Sequence, residues 1–356
     1  MHEYRLLGKT GLRVSPLCLG AMTFGTELGW GSAKETARAL FDRYLEVGGN
    51  FIDTADAYTG GTSEKWVGEF VREAKERDRL VIATKFSFGV IQGDPNSGGN
   101  GRKAILRALE GSLKRLQTDY IDLYWLHAWD MLTPVEEVMA TLNDCVRQGK
   151  VRYLGMSDVP AWYASRAQTI AELRGWEKLT SLQLEYSLVA RNLEREHLWM
   201  AQDLGMGICA WSPLGQGFLT GKYRKEKDGF SGQGRVQTVR GSGNPVMEKF
   251  DSERNWAILE VLKKVANEVE RPAAEVAINW ATFRPGITST LIGATKKEQL
   301  ESNLRSLDFE LPPSLAKELE TVSRPVNTEL DDFFSPAIQG WLRGGTAIIK
   351  DLRPRY

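Results

Sequence analysis

The chain of 356 residues balances 46 Lys+Arg against 46 Asp+Glu, so its formal charge is zero and no basic footprint for nucleic acid is expected. No apolar run reaches the roughly 20 residues needed to span a bilayer, and the opening MHEYRLLGKTGLRVS lacks the apolar core of a signal peptide, so the expectation is a cytoplasmic protein without a membrane partner. Cys18, Cys145 and Cys209 are far apart in apolar stretches and read as buried reduced thiols, and the absence of CxxC and HExxH patterns gives no support for a metal site.

Strand and helix signals then alternate. YRLLGKTGLRVS predicts a β-hairpin around Lys9-Thr10-Gly11, followed by a short apolar strand over 16–20. Ala37, Leu40, Phe41, Tyr44 and Leu45 share one face of a helix from Ala33 to Val47, which stops at Gly48-Gly49. NFIDT is strand two, a helix opens at Ser63-Glu64 and runs to about Lys75, and residues 80–84 are strand three. After a Gly/Asn loop over 93–101, a helix from about Lys103 to Leu116 leads to strand four, YIDLYWL. Thr133-Pro134 reads as N-cap and first position of the next helix, with Glu136 in its first turn and its end near Gly149. VRYLGMS, LTSLQLE and MGICAWS are strands five to seven, separated by helices from Pro160 to Leu173 and from Glu194 to Leu204. Residues 223–250 are polar, Gly-rich and too long for an ordinary connection, which predicts a functional flap or local disorder. Helices from about Arg254 to Glu270 and from Pro272 to Thr282 are additions before strand eight, at 287–293, and Lys297 to Leu304 is a closing helix.

Eight strands separated by helices imply parallel pairing and right-handed crossovers, for which a closed (β/α)8 TIM barrel is the simplest solution. Length alone would suggest about two domains. Barrels of this kind nevertheless run from about 200 to over 400 residues as one unit. The expected organisation is one domain over 1–356, with its core at about 16–310 and a tail over 324–356. Phe333, Phe334, Trp341 and Ile348-Ile349 in that tail predict that part of it packs near the barrel mouth.

Asp53, Tyr58, Lys85 and His127 each lie at or just past a strand end, where such barrels assemble their chemistry. A tyrosine is a weak acid, with an ordinary pKa of about 10. A neighbouring ammonium favours its phenolate, a carboxylate holds the ammonium, and an imidazole orients a carbonyl or relays a proton. The set is suited to donating a proton to a carbonyl oxygen. A bland reading of Asp53 and Lys85 as a structural ion pair does not account for Tyr58 and His127 beside them. His2 and His197 lack such surroundings and read as surface residues. Gly99 to Ala104 imitates a dinucleotide fingerprint without its strand, and Gly215 to Lys222 has the wrong spacing for a P-loop. Of the 11 Trp, Trp66, Trp176, Trp199, Trp256 and Trp280 fall in helices and read as packing residues. Trp30, Trp129 and Trp211, with Phe24, Phe86 and Phe88, are expected to line an aromatic pocket at the mouth.

The segments NFIDTADAYTGGTSEKWVGEF, VIATK, SLKRLQTDYIDLYWLHAWD, GKVRYLGMSD, QLEYSL, WSPLGQGFLTGKY and LIGATKKEQLESNL resemble the aldo-keto reductases, in that family's order and over residues 4 to about 310. The likeness is to the potassium-channel-β-like and aryl-alcohol-dehydrogenase-like branches. It implies NADP(H) bound in extended form without a Rossmann fold, NAD(H) not being excluded, and reversible reduction of an aldehyde or ketone. By the same resemblance Tyr58 is the general acid, Lys85 lowers its pKa, Asp53 partners the lysine and His127 positions the carbonyl. Thr23 would contact the nicotinamide ribose. Ser157, Asp158 and Gln183 would bind the carboxamide, with Asp158 departing from the usual Asn, and Trp211 would stack on the ring. Ser212, Leu214, Gln216, Gly217 and Lys222 would line the pyrophosphate, and Gly293, Thr295, Gln299 and Asn303 the adenosine end. Gln299 stands where several relatives place an arginine on the 2′-phosphate, a loss for which Lys296 and Lys297 would compensate. The expected partner is a small-molecule carbonyl compound. The alternative is a regulatory subunit that binds NADP(H) and turns over slowly; a lyase or isomerase would leave Ser157, Gln183, Trp211 and Asn303 without a shared purpose.

Overall fold

Apolar runs bounded by turn residues become the eight parallel strands of a closed barrel in the computed structural model, which describes residues 1, 3–27, 29–226, 229–232 and 250–346. The barrel strands are β1 (Leu17–Gly20), β2 (Phe51–Asp53), β3 (Val81–Phe86), β4 (Ile121–Leu126), β5 (Val151–Ser157), β6 (Leu179–Glu185), β7 (Gly207–Trp211) and β8 (Ile287–Ile292). Each strand pairs with the next, and β8 closes on β1 through Thr290–Leu17 and Ile292–Leu19. The register aligns the strand ends that matter later. Gly20 sits opposite Asp53, Lys85 opposite Trp125, Ser157 opposite Gln183, and Glu185 opposite Trp211.

Because strand side chains alternate in direction, one set fills the barrel and the other meets the helices. The interior cluster contains Cys18, Phe51, Val81, Ala83, Leu123, Trp125 and Cys209. Leu7 and Val14 join it from the predicted hairpin, whose strands are Arg5–Leu6 and Arg13–Val14. Lys9 N–H bonds Gly205 O at 2.8 Å, just before β7, so the hairpin seals the N-terminal end and leaves the other end open. The three cysteines are free and buried, as their surroundings predict.

The helices alternate with the strands as α1 (Lys34–Glu46), α2 (Thr62–Ala74), α3 (Arg102–Leu116), α4 (Val135–Arg147), α5 (Ala161–Arg174) and α6 (His197–Leu204). The periodicity of α1 correctly marks Ala37, Leu40, Phe41 and Tyr44 as its buried face. Fully burying each large apolar side chain contributes about 1.5–3 kcal/mol. Helix α4 starts one residue later than expected, with Pro134 as N-cap, because the Thr133 hydroxyl donates instead to Asp130 Oδ2 at 2.6 Å. The run predicted as one helix from Glu194 splits into a 3-10 turn, Asn192–Glu194, and α6. His197 at its start is half-buried and bonds Val159 O at 2.8 Å, so it is not a free surface residue. Trp199 is 68% exposed, contrary to its expected packing role, whereas Trp256 and Trp280 are buried.

Between β7 and β8 lie α7 (Glu253–Glu268) and α8 (Ala273–Thr282); α8 packs on β8, and α7 packs on α10 (Pro313–Ser323). Helix α9 (Lys297–Arg305) follows β8. Within the expected flap, Arg224–Glu226 pairs antiparallel with Gly229–Ser231, and residues 233–249 lie outside the described residues. The tail forms α11 (Glu329–Phe333) and α12 (Pro336–Leu342), whose Phe333, Phe334 and Trp341 are all exposed rather than packed; Ile348-Ile349 and His2 lie outside the described residues. No described helix is long and apolar enough to cross a membrane.

The interior leaves little tolerance. A Cβ added at Gly155 would lie 2.3 Å from the Trp125 ring and 3.0 Å from Ser181 O. Gly155→Ala should therefore cost about 1–3 kcal/mol through overpacking. A lower urea midpoint at an unchanged denaturant slope is the expected result, and an unchanged midpoint would show that the Trp125 floor can yield.

Candidate active site

Asp53 ends β2 and Lys85 is the penultimate residue of β3, both pointing inward, with Lys85 fully buried and Asp53 1% exposed. The Lys85 ammonium has three N–H groups, and each has a partner. It donates to Asp53 Oδ1, to Thr54 O at 2.9 Å and to the Tyr58 hydroxyl oxygen at 3.1 Å. The other Asp53 oxygen accepts from Gln183 Nε2 at 2.9 Å. Tyr58 opens a short 3-10 turn, Tyr58–Gly61, in which Thr59 adopts φ 48° and donates its hydroxyl to Phe24 O at 2.9 Å. That bend carries the half-buried phenol back over Lys85, whose Nζ lies 4.8 Å from the ring centroid.

His127 follows β4, and its ring meets Tyr58 edge to face at 5.6 Å between centroids. Phe88 packs on its other side at 4.7 Å. The His127 amide donates to Phe86 O at 3.0 Å and to Ser87 Oγ at 3.2 Å. Ser87 Oγ donates to Asn100 Oδ1 at 2.6 Å, and Asn100 Nδ2 donates to Ala128 O at 2.9 Å. Asn100 is fully buried, so the loops after β3 and β4 are fastened together by a residue that sequence reading treats as part of an ordinary Gly/Asn loop. Its signal was weak: an asparagine between glycines marks a turn whether or not it holds a neighbouring loop.

These surroundings set the protonation states. Burial raises the Tyr58 pKa; Lys85 pulls it down without overcoming burial, so the net direction is opposite to the expected lowering. Burial opposes the Lys85 charge, but Asp53 and Tyr58 outweigh it and raise its pKa. Burial and then the Lys85 charge hold His127 well below its ordinary value, so it is neutral near pH 7. Its buried Nδ1 has no hydrogen-bond partner among the described residues. The tautomer that avoids an orphaned N–H there carries its proton on Nε2.

The residues expected at a cofactor ring the same open end. Ser157 and Gln183 face each other across β5 and β6, and both are buried. Asp158 adopts φ 46°, opens to solvent in the cleft, and accepts from Trp211 Nε1 at 3.1 Å and Ser157 Oγ at 3.4 Å. The crowding around its carboxyl pushes its pKa up to about 6; the Trp211 N–H opposes the rise and the Glu185 charge adds to it. Donor, acceptor and indole together fit a carboxamide on a flat ring. Next comes a loop in which Ser212, Gln216 and Gly217 have φ of 56°, 56° and 93°, and Ser212 Oγ accepts from Gln216 N at 2.9 Å. The other amides of the turn are also taken within it, Gly215 N–H by Ser212 O at 2.9 Å and Gly217 N–H by Leu214 O at 3.0 Å. Leu214 precedes the turn, and Lys222 Nζ lies 3.2 Å from where a Gly217 Cβ would sit. No carboxylate among the described residues pairs with Lys222, and burial lowers its pKa. This cation beside the turn, with no carboxylate holding it, fits a pyrophosphate.

At the seam of the barrel, Thr23 Oγ1 donates to Ala294 O at 2.9 Å and ties the loop after β1 to the loop after β8. Asn303 Nδ2 donates to Gly293 O at 3.2 Å, while Gln299 Oε1 accepts from Thr295 N at 2.8 Å. Of the expected aromatic pocket, Trp30 and Trp129 are half-buried and Phe88 is 50% exposed. Phe24 and Phe86 do not line it. Both are fully buried in the core, Phe24 against Phe70 and Phe86 against Tyr124. Since Lys85 points into the barrel, strand alternation turns Phe86 outward to the helices.

The sequence pattern of the Aldo/keto reductase family matches residues 16–324. Norsolorinic acid reductase B of Dothistroma septosporum is 36% identical over 331 residues, which are 90% of this chain and 81% of that protein. An aryl-alcohol dehydrogenase of Pestalotiopsis microspora is 35% identical over 328 residues, 90% of this chain and 82% of the other. The uncharacterized oxidoreductase YrpG of Bacillus subtilis is 36% identical over 330 residues, 90% of this chain and 95% of the other.

Replacing Lys85 by Met leaves the Asp53 carboxylate buried without its cation. Breaking such a pair costs about 3–5 kcal/mol. Equilibrium urea unfolding should record a loss of that size, and Asp53→Asn in the same chain should restore a large part of it. Additive losses in the double variant would mean that the two groups do not act as a pair.

Proposed function

The chain belongs to the aldo/keto reductase family and is an oxidoreductase, and on that premise we propose that it reduces an aldehyde or ketone with a nicotinamide cofactor, Tyr58 donating the proton. The observation that carries this reading is the Lys85 contact to the Tyr58 oxygen at 3.1 Å. An ammonium has no lone pair, so the phenol oxygen accepts that bond and its own hydrogen is left to point elsewhere. Tyr58 and His127 meet edge to face at the open end of the barrel, where a carbonyl oxygen within reach of both would be oriented by His127 Nε2–H and protonated by Tyr58.

When bound, the cofactor supplies the hydride. The carbonyl carbon gains that hydride, the carbonyl oxygen gains the Tyr58 proton, and the product is an alcohol. Lys85 stabilises the phenolate left behind, and Asp53 keeps Lys85 charged. The raised Tyr58 pKa keeps the donor protonated throughout the neutral range. Ser157, Asp158, Gln183 and Trp211 would seat the nicotinamide end, and Ser212, Gln216, Gly217 and Lys222 the pyrophosphate. Lys296 and Lys297, exposed at the start of α9, favour NADP(H) over NAD(H) despite the glutamine at position 299. The half-buried Trp30 and Trp129 and the exposed edge of Phe88, together with an aryl-alcohol dehydrogenase among the relatives, favour an aromatic carbonyl substrate.

Tyr58→Phe is the test. The variant should bind NADPH as the parent does, while reduction of 4-nitrobenzaldehyde, followed by loss of NADPH absorbance, falls about 10²–10⁴-fold. Normal turnover would remove Tyr58 as proton donor. Tight cofactor binding by the unaltered protein without turnover would favour a regulatory subunit instead.

A further inference from the structure

The nicotinamide end of the proposed cofactor site contains a charge with no counter-ion in contact among the described residues. Asp158 follows β5, and its carboxylate opens into the cleft. Its side-chain partners are both neutral: Trp211 Nε1 at 3.1 Å from one oxygen and Ser157 Oγ at 3.4 Å from the other. The charged groups acting on it are Glu185, at the end of β6, which reinforces the negative potential, and Lys85, which opposes it. Lys85 is already held by Asp53, so its positive charge is largely balanced where it sits. Tyr58 and His127, which border Lys85, are neutral near pH 7, while Asp56, buried just past β2, has its carboxyl pushed up to about 7 by burial.

We propose that Asp158 distinguishes the two redox forms of the cofactor, its carboxylate favouring the oxidised, cationic nicotinamide over the reduced, neutral one. The proposal rests on the nicotinamide reading of the site given above. The pyrophosphate, both riboses and the adenine are common to the two forms. Interactions with Lys222 and the loop after β7 therefore cancel in the ratio of the two affinities. What remains is the ring, whose charge changes by one unit when hydride leaves it. An ionised carboxylate at the carboxamide position attracts that charge, and covering the cleft with the ring removes water that would otherwise screen it. The ratio of affinities is also the factor by which the protein shifts the hydride-transfer equilibrium between carbonyl plus reduced cofactor and alcohol plus oxidised cofactor. Asp158 would thus make the bound reduced form a stronger hydride donor. An asparagine at this position could hold the carboxamide equally well and would exert no such bias.

The sign of the pH dependence follows. The preference needs the ionised form, so it is present above the Asp158 pKa, about 6, and is lost as pH falls through it. Titration calorimetry of the full-length protein with NADP+ and with NADPH, from pH 5 to 8.5, measures it directly. In the unaltered protein the ratio of the two dissociation constants at pH 8 should favour NADP+ about five- to tenfold more than in Asp158→Asn. It should fall toward the variant's value near pH 5. Asparagine keeps an acceptor for the Trp211 N–H and tolerates a backbone φ of 46°, so the fold should survive the change. An equal ratio in the two proteins, or a ratio in the unaltered protein that is flat with pH, overturns the proposal; the second result needs no variant. Failure of the unaltered protein to bind either form would instead remove the cofactor reading of the site, and this inference with it.

Discussion

A positive and a negative charge enclosed at the end of a sealed barrel constrain everything around them. Lys85 and Asp53 are almost completely removed from water, so neither can be charged without the other, and neither can move far without leaving its partner unsatisfied. Thr54 O and the Tyr58 hydroxyl take the remaining ammonium donors, and Gln183 takes the remaining carboxylate oxygen. The phenol is thereby aimed by a network whose every member is occupied. Beneath the pair, Trp125 fills the barrel, and the bare backbone of Gly155 makes room for it. The hairpin closes the far end. The chemistry therefore has one face on which to occur, at the carboxyl ends of the strands.

Much of this was legible in the chain. Eight apolar runs separated by helices implied a parallel sheet, for which a closed barrel was the simplest solution. Asp53, Tyr58, Lys85 and His127 stood out because charged or titratable groups at successive strand ends are difficult to explain as packing. What the sequence did not disclose depends on direction or distance. Phe86 was misplaced at the mouth although its neighbour Lys85, pointing inward, fixes it outward. Asn100 gave no sign of spanning two loops. The net rise in the Tyr58 pKa follows from the balance between burial and one cation, and only the depth of the site settles that balance. The exposed aromatic residues of the tail run against the ordinary expectation that such side chains find cover.

Backbone strain is concentrated at the same rim. Thr59, Ser87, Asp158, Ser212 and Gln216 all have positive φ without being glycine. Such conformations cost on the order of 1–3 kcal/mol each and persist where the surroundings over-determine them. Ser87, Asp158 and Ser212 each turn the chain directly past a barrel strand, and Thr59 and Gln216 lie within the 3-10 turns Tyr58–Gly61 and Gly215–Thr220 that follow β2 and β7. The Thr59 bend returns Tyr58 to Lys85, the Ser87 turn supports His127, and the turn at Asp158 brings its carboxylate to the Trp211 indole.

Barrel closure also has a consequence for synthesis. The four candidate catalytic residues have all been made once residue 127 has been added, yet the barrel that holds them is incomplete until β8 joins β1 and Thr23 reaches Ala294. At translation rates of about 5–20 residues per second, the intervening stretch takes roughly ten to thirty seconds to appear. During that interval Lys85 and Asp53 lack the enclosure that makes their pairing obligatory, and the edge of β1 remains open to the wrong partners. A growing chain of this design depends on its last strand to protect its first.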